Sequence, residues 1–306
     1  MRARSCRPKI QASKTTHPLS TPLRLNSGHS ASSHRIRGDK ITAQTSRQRL
    51  GKGVTTLEST FTSHNGIEIA YFTEGCGEPV ILVHGFAANA KLNWVGPQVV
   101  SDLTAHGRQV IAPDTRGHGA SDKPTDPEAY SYDNLAADVM GLADHLGLDT
   151  YDLVGYSMGA MTSLRIGAID PRVRRVIYGG IGGNVLIPNA LNRDLLADSL
   201  KPDATEDDMT PLGKLFRAFA EASGADLNAL AACQRARKVT PNPADIKAEA
   251  LVLVGNDDWL AGPAEPLAEA IPGAIHKTVP GDHTTCLFQP EFREAVNEFL
   301  TNSTGA

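Results

Sequence analysis

Short apolar runs alternate with helical segments through most of this 306-residue chain, and this alternation constrains the fold more than any other feature. The runs are rich in Val, Ile and Leu and are bounded by Gly, Pro or Asp; they cover residues 79–84, 109–114, 151–155, 173–179, 250–255 and 274–279. Most are continuously apolar, which is typical of strands buried on both faces of a sheet. Helical patterns occupy 132–146, 159–169, 263–270 and 291–300. The alternation predicts an α/β fold with a doubly wound, mostly parallel sheet of about eight strands.

Two stretches depart from this alternation. Residues 61–64 and 67–72 flank Asn65-Gly66, a strong signal for a hairpin of antiparallel strands. Residues 184–245 contain no strand pattern but several helical patches, such as 191–200 and 212–222. Long insertions on such sheets usually cover a site, so we expect a small helical cap at about 184–245, with a long crossover of two surface helices as the alternative.

The first 52 residues differ in composition from the rest of the chain. They contain twelve Lys and Arg residues and one acidic residue, Asp39, with many Ser and Thr and no sustained apolar period. We therefore expect a disordered basic extension over 1–55, followed by the folded domain at 56–306. An organellar transit peptide and an upstream extension from an early start site both fit this composition, and a basic nucleic-acid arm is a third interpretation. The expected location is cytoplasmic, or organellar if residues 1–52 are a transit peptide.

Charge and composition exclude several classes for the body of the chain. Residues 53–306 retain eighteen basic and thirty-three acidic residues, a poor electrostatic match for phosphate backbones, so we expect no nucleic-acid partner. No run of apolar residues is long enough for a transmembrane segment. The four cysteines are far apart without a CxxC pair, which argues against a zinc ribbon, a thioredoxin-type site or a disulfide framework, and fits a reducing compartment.

The sharpest motif is Gly155-Tyr-Ser-Met-Gly159, between a predicted strand and a predicted helix. The turn between these elements must be very tight, which places Ser157 in a strained conformation with its hydroxyl exposed. Gly155 and Gly159 are required where a Cβ would clash as strand and helix approach. Here the sequence resembles the α/β-hydrolase family, in its serine-nucleophile, esterase-like branch. The resemblance covers residues 60–300 and implies that Ser157 is the nucleophile.

A serine hydroxyl needs a neighbouring base, and the base needs an orienting carboxylate. The order Ser, acid, His in the family leaves only two of the ten histidines as candidates, His276 and His283. His276 falls inside an apolar run, whereas His283 follows the end of that run, where open α/β sheets place ligands. We therefore assign His283 as the base.

Two adjacent carboxylates, Asp257 and Asp258, stand at the end of the preceding run. In the family the acid usually falls three residues after the glycine that ends this strand, here Gly255, which favours Asp258 and leaves Asp257 as the alternative. Some relatives carry the acid one strand earlier, but the segment 178–184 contains no carboxylate.

The resemblance also implies an oxyanion hole. Its donors would be the backbone N–H groups of Met158, after the nucleophile, and of Phe86, in the His84-Gly-Phe loop that is similar to the family's His-Gly motif. A further match at 114–122 suits a surface loop locked by Arg116 and Asp122; without the family it could be read as a metal or phosphate loop.

The expected activity is that of a serine hydrolase, a carboxylesterase-like enzyme that cleaves a small or medium carboxylic ester through an acyl-enzyme. No cofactor and no metal are implied, the expected partner is a small-molecule ester or acyl substrate, and nothing specifies an oligomeric state. Trp94 and Trp259 are candidates for the substrate pocket, with core packing as the alternative for each. Epoxide hydrolases and haloalkane dehalogenases on this fold need a carboxylate nucleophile where this chain has Ser157. A carbon–carbon bond hydrolase, a perhydrolase, an acyltransferase and a slow-turnover ligand receptor stay open.

Overall fold

A nine-stranded sheet with the order β1-β2-β3-β5-β4-β6-β7-β8-β9 forms the centre of the computed structural model, which describes residues 46–49, 55–188 and 190–301. The strands are β1 Ser46–Arg49, β2 Thr55–Thr62, β3 Glu68–Gly75, β4 Glu78–Val83, β5 Arg108–Pro113, β6 Tyr151–Tyr156, β7 Val173–Gly179, β8 Glu249–Gly255 and β9 Ile275–Val279. Strands β4 to β9 are mutually parallel, and β1, β2 and β3 add an antiparallel edge. The predicted α/β class and mostly parallel sheet are confirmed.

The predicted hairpin joins β2 to β3. Phe61 pairs with Ile69, and the connection passes through Asn65 and Gly66, whose φ values are 68° and 73°. Asn and Gly tolerate this left-handed conformation better than other residues, which is why the dipeptide forms the turn here.

Helices cover both faces of the sheet, as a doubly wound fold requires. They are α1 Val99–Ala105, α2 Tyr132–His145, α3 Met158–Ile169, α4 Arg193–Ser199, α5 Pro211–Ser223, α6 Leu227–Arg235, α7 Glu265–Ala270 and α8 Pro290–Thr301. Side chains of α2, α3 and α7 pack in the core on one face, and those of α1 and α8 pack on the other. Residues of β6 such as Leu153 and Val154 are fully buried because both faces are covered.

Helices α4, α5 and α6 lie in the insertion between β7 and β8. Their buried side chains form a third apolar cluster, which includes Leu196, Ala220 and Leu230 and extends to Phe86 and Met158 beside the predicted nucleophile. The insertion therefore packs against the carboxyl ends of the strands, where the predicted site residues lie.

The amino-terminal boundary differs from the sequence prediction. Residues 46–49 fall within the segment predicted to be disordered, yet they form β1 and pair antiparallel with β2, which itself begins at Thr55. An edge strand can be held by backbone hydrogen bonds to one neighbour, so it does not need the apolar periodicity that the prediction required. The remainder of the predicted extension, 1–45 and 50–54, lies outside the described residues. Within the described part of the chain, no helix is long and apolar enough to cross a membrane.

Candidate active site

Ser157 occupies a tight turn between β6 and α3. Its φ of 53° and ψ of −114° are strained for a residue with a side chain, and its N–H donates to the Gly179 carbonyl over 2.8 Å. A Cβ on Gly155 would lie 2.7 Å from Cα of Ala160, and one on Gly159 would lie 2.6 Å from the His84 carbonyl oxygen. Both glycines therefore allow the strand, the helix and the neighbouring loop to approach closely enough to present the serine.

The side chains of Ser157, His283 and Asp258 form one hydrogen-bonded line. His283 Nε2 lies 3.0 Å from Ser157 Oγ, and His283 Nδ1 lies 2.8 Å from Asp258 Oδ2. A carboxylate oxygen can only accept, so Nδ1 carries the proton and Nε2 is left to accept from the serine hydroxyl. This arrangement suits a serine nucleophile with an oriented base.

The loop after β8 separates the two adjacent aspartates. Asp258 is 3% exposed, and its other oxygen, Oδ1, accepts from the N–H groups of Leu260 and Ala261 over 3.1 and 2.9 Å. Asp257 is exposed to solvent. The structure therefore brings Asp258, and not Asp257, to the predicted base.

Two residues that sequence reasoning missed hold His283 in place. Tyr156 Oη donates to the His283 carbonyl over 2.6 Å, and burial raises the pKa of Tyr156 well above its ordinary value, which keeps the donor proton on the phenol. Asp282 accepts from the N–H groups of Thr284 and Thr285, and these bonds hold the pKa of its carboxyl well below the usual range. No local pattern links Tyr156 to a loop 127 residues later.

The backbone N–H groups of Phe86 and Met158 are free to donate, since neither has a hydrogen-bond partner among the described residues. The loop that carries Phe86 is held by two hydrogen bonds: Gly85 donates its N–H to Asn93 Oδ1 over 3.0 Å, and the His84 ring bonds to the Gly85 carbonyl over 2.8 Å. Asn93 is another residue whose contact with the site no sequence motif indicated.

Polar contacts with α2 and β3 fix loop 114–122. Arg116 forms a bidentate pair with the buried carboxylate of Asp138, with both N–O distances 2.7 Å, and Asp122 accepts from the Glu68 N–H over 2.8 Å. Burial lowers the pKa of His118, which lies on this loop, to about 3. Among the residues that the structure describes, no group of His, Cys, Asp and Glu side chains could hold a metal ion.

A cavity of about 1200 Å³ opens over Ser157 and His283 and is lined on its other side by residues of the 184–245 insertion. Trp259 lies at this cavity with 65% of its surface exposed. The prediction that Trp94 lines the pocket is wrong: Trp94 is fully buried in the core beside α1 and α8 and is absent from the cavity wall. Trp94 lies in a π-helical turn, Lys91–Val95, and the sequence pattern does not show which side chains of this turn point into the core.

A mostly parallel sheet with a serine at a strained strand-to-helix turn, and an acid and a histidine after later strands, defines the α/β-hydrolase class of fold. The sequence profile of the alpha/beta hydrolase fold matches residues 78–198, and the chain has this fold.

Individual relatives carry different names. A 2-hydroxy-6-oxo-2,4-heptadienoate hydrolase of Pseudomonas putida is 38% identical over 131 residues, which is 42% of this chain and 46% of that protein. Epoxide hydrolase 2 of Siraitia grosvenorii is 37% identical over 105 residues, 34% of this chain and 32% of that protein. The matches thus span less than half the length of these curated relatives. Among solved structures, an enol-lactonase from Burkholderia xenovorans LB400 is 27% identical, with a TM-score of 0.62 over 79% of this chain and 100% of that chain.

Proposed function

We propose that this protein is a serine hydrolase that cleaves small or medium carboxylic esters through an acyl-enzyme intermediate. The hydrogen-bonded line from Ser157 Oγ through the His283 ring to Asp258 is the observation that carries the proposal. The line opens into a cavity large enough for a small organic substrate, and two free backbone N–H groups stand beside it.

In the first half of the reaction, Ser157 Oγ attacks the ester carbonyl carbon while His283 Nε2 takes the hydroxyl proton. Asp258 accepts from Nδ1 and stabilises the imidazolium that forms. The carbonyl oxygen becomes an oxyanion, which the N–H groups of Phe86 and Met158 stabilise, each by about 3 kcal/mol. His283 then returns the proton to the departing alcohol, and Ser157 retains the acyl group.

In the second half, water attacks the acyl carbon and loses its proton to His283 Nε2. The same N–H groups stabilise the second oxyanion. When it collapses, the bond to Ser157 breaks, the proton returns to Oγ and the carboxylic acid leaves. Backbone donors fixed before the reaction need no reorganisation, which is the physical basis of their contribution.

A carbon–carbon bond hydrolase is the second candidate, because the name of the Pseudomonas putida relative describes an oxo acid rather than an ester. Perhydrolase and acyltransferase chemistry would use the same three side chains. The names epoxide hydrolase and haloalkane dehalogenase also occur among the relatives, but those reactions on this fold need a carboxylate where this chain has Ser157.

A Ser157→Ala variant tests the proposal. We expect it to lose labelling by a fluorophosphonate probe and to lose hydrolysis of nitrophenyl esters of graded acyl length. Ser101→Ala is the control, because Ser101 is an exposed serine on α1. Undiminished labelling of Ser157→Ala would refute the serine mechanism. A burst of nitrophenol without steady turnover would favour a slow-turnover receptor, and cleavage of an oxo-dienoate but of no ester would favour the carbon–carbon hydrolase.

A further inference from the structure

Two cations line the cavity over Ser157 without an acidic partner. The Arg193 guanidinium donates to neutral oxygens, to Gln234 Oε1 over 3.1 Å and to Tyr132 Oη over 3.2 Å. Lys238 Nζ lies 3.3 Å from the Cys233 sulfur and 5.5 Å from the centre of the Tyr132 ring. Within the described part of the chain, neither cation forms an ion pair.

The lack of an acidic partner is unusual for partly buried cations. Both side chains are half-buried, and a charge withdrawn from water is normally compensated by a counter-charge. The contrast with Arg235 is direct: Arg235 lines the same cavity but pairs with Asp198 over 2.8 Å. Burial also lowers the pKa of Lys238, the direction expected of an ammonium group that lacks an anionic neighbour.

The two cations converge on one place. Both contact Tyr132, from α2, while Arg193 begins α4 and Lys238 follows α6. The one acidic residue among the described residues that line this cavity is Asp194, which is exposed. The wall is thus locally cationic although residues 53–306 carry a large excess of acidic residues, an arrangement that concentrates anions inside a cleft.

We propose that the substrate carries a carboxylate at a distance from its scissile carbonyl, and that Arg193 and Lys238 bind this carboxylate together. The inference rests on the proposed hydrolase function and names its substrate class, the monoesters of dicarboxylic acids or esters of related oxo acids. A guanidinium matches a carboxylate in shape and charge, and an ammonium adds a second charged donor. The Tyr132 hydroxyl accepts from Arg193, so its proton is available to the same ligand.

Paired substrates test the proposal. Methylumbelliferyl monoesters of dicarboxylic acids, from succinic to suberic acid, are compared with the corresponding terminal carboxamides, which have the same shape without the charge. For the best chain length, we expect kcat/KM to favour the carboxylate by about tenfold or more. Arg193→Gln and Lys238→Met should each lower this ratio by about tenfold, Lys238→Arg should retain most of it, and Arg235→Gln should leave it as in the wild type.

The ratio separates recognition of charge from a structural role, because a loss of folding or of cap packing would reduce turnover of both members of a pair. A wild-type ratio near one at every chain length would overturn the inference while leaving the hydrolase proposal intact. If neither member is hydrolysed, the hydrolase proposal fails. Calorimetry with free adipate then decides the cationic site, since binding by the wild type and its loss in Arg193→Gln do not require catalysis, and absence of wild-type binding rejects the site.

Discussion

At the scale of single residues, a shift of one position along the chain separates a buried aspartate, Asp258, from an exposed one, Asp257. Asp258 is buried and bonded to His283, whereas Asp257 faces solvent. We predict that Asp258→Asn lowers kcat for ester hydrolysis by about ten-thousandfold, because an amide no longer favours the required histidine tautomer. Asp257→Asn should change kcat by less than about twofold. Steady-state kinetics of the two variants decides between them, and the reverse order would transfer the role to Asp257.

Tyr156 acts on His283 through the backbone, and we infer that it is a positioning residue. Tyr156→Phe removes the hydroxyl that donates to the His283 carbonyl, so we expect kcat to fall about fivefold to tenfold with little change in KM. Tyr178→Phe is a matched control, since the buried Tyr178 hydroxyl has no hydrogen-bond partner among the described residues. Equal kinetic effects of the two substitutions would contradict the assignment.

Residues within a recognisable local pattern could be predicted from the sequence, and residues defined by distant contacts could not. Ser157 lies in a glycine-bounded turn, and His283 and Asp258 each follow the end of an apolar run. Tyr156 and Asn93 act on other parts of the chain through hydrogen bonds that only folding creates.

At the scale of elements, two helical glycines differ in whether a Cβ would fit at their position. A Cβ on Gly159 in α3 would collide with the Val83 carbonyl oxygen of β4, whereas one on Gly141 in α2 would lie 3.5 Å from the Phe61 ring, an ordinary contact. We predict that Gly159→Ala destabilises the protein by about 3 kcal/mol and impairs hydrolysis. Gly141→Ala should be neutral or stabilise it by up to about 1 kcal/mol. Urea unfolding measures both, and an unchanged midpoint for Gly159→Ala would show that the turn can relax.

Loop 114–122 should make stability depend on pH. Burial holds the pKa of His118 at about 3 in the native state, whereas an unfolded histidine titrates at about 6.5. Below that value the unfolded state binds a proton that the native state excludes, so the free energy of unfolding falls as pH falls, by about 1.4 kcal/mol per pH unit. His118→Phe should remove this share of the slope between about pH 6 and pH 4. Urea unfolding across that range checks the prediction, and equal slopes for variant and wild type would contradict it.

The hydrophobic pattern predicted most of the strands and helices. Each predicted parallel strand is present within one or two residues. The inner parallel strands are buried on both faces and therefore continuously apolar, whereas β9, at the edge of the sheet, is mostly exposed. The helix α6, Leu227–Arg235, was not among the predicted segments; its buried positions include three alanines and a cysteine, which give a weak hydrophobic pattern. The edge strand β1 has no apolar pattern, since it depends on the backbone of β2.

At the scale of the whole molecule, β1 is the outermost strand at one edge of the sheet. We predict that a chain beginning at residue 46 is more stable than one beginning at residue 50, by about 1–2 kcal/mol, because the latter loses four residue pairs with β2. The truncated edge should also increase aggregation. Thermal melting and light scattering of the two chains measure these effects, and identical behaviour would show that β1 contributes nothing to the domain.

The sequence by itself determined the fold class, the strained serine turn and the order along the chain of the serine, the acid and the histidine, because local sterics and the burial of apolar runs leave few alternatives. The sequence favoured Asp258 and left Asp257 as the alternative, and the tertiary structure brings Asp258 to His283. Only the tertiary structure decided that Trp94 is core and that Arg193 and Lys238 share a cavity. Those outcomes depend on where loops and helices far apart in the chain come to lie against one another, and no single segment encodes that.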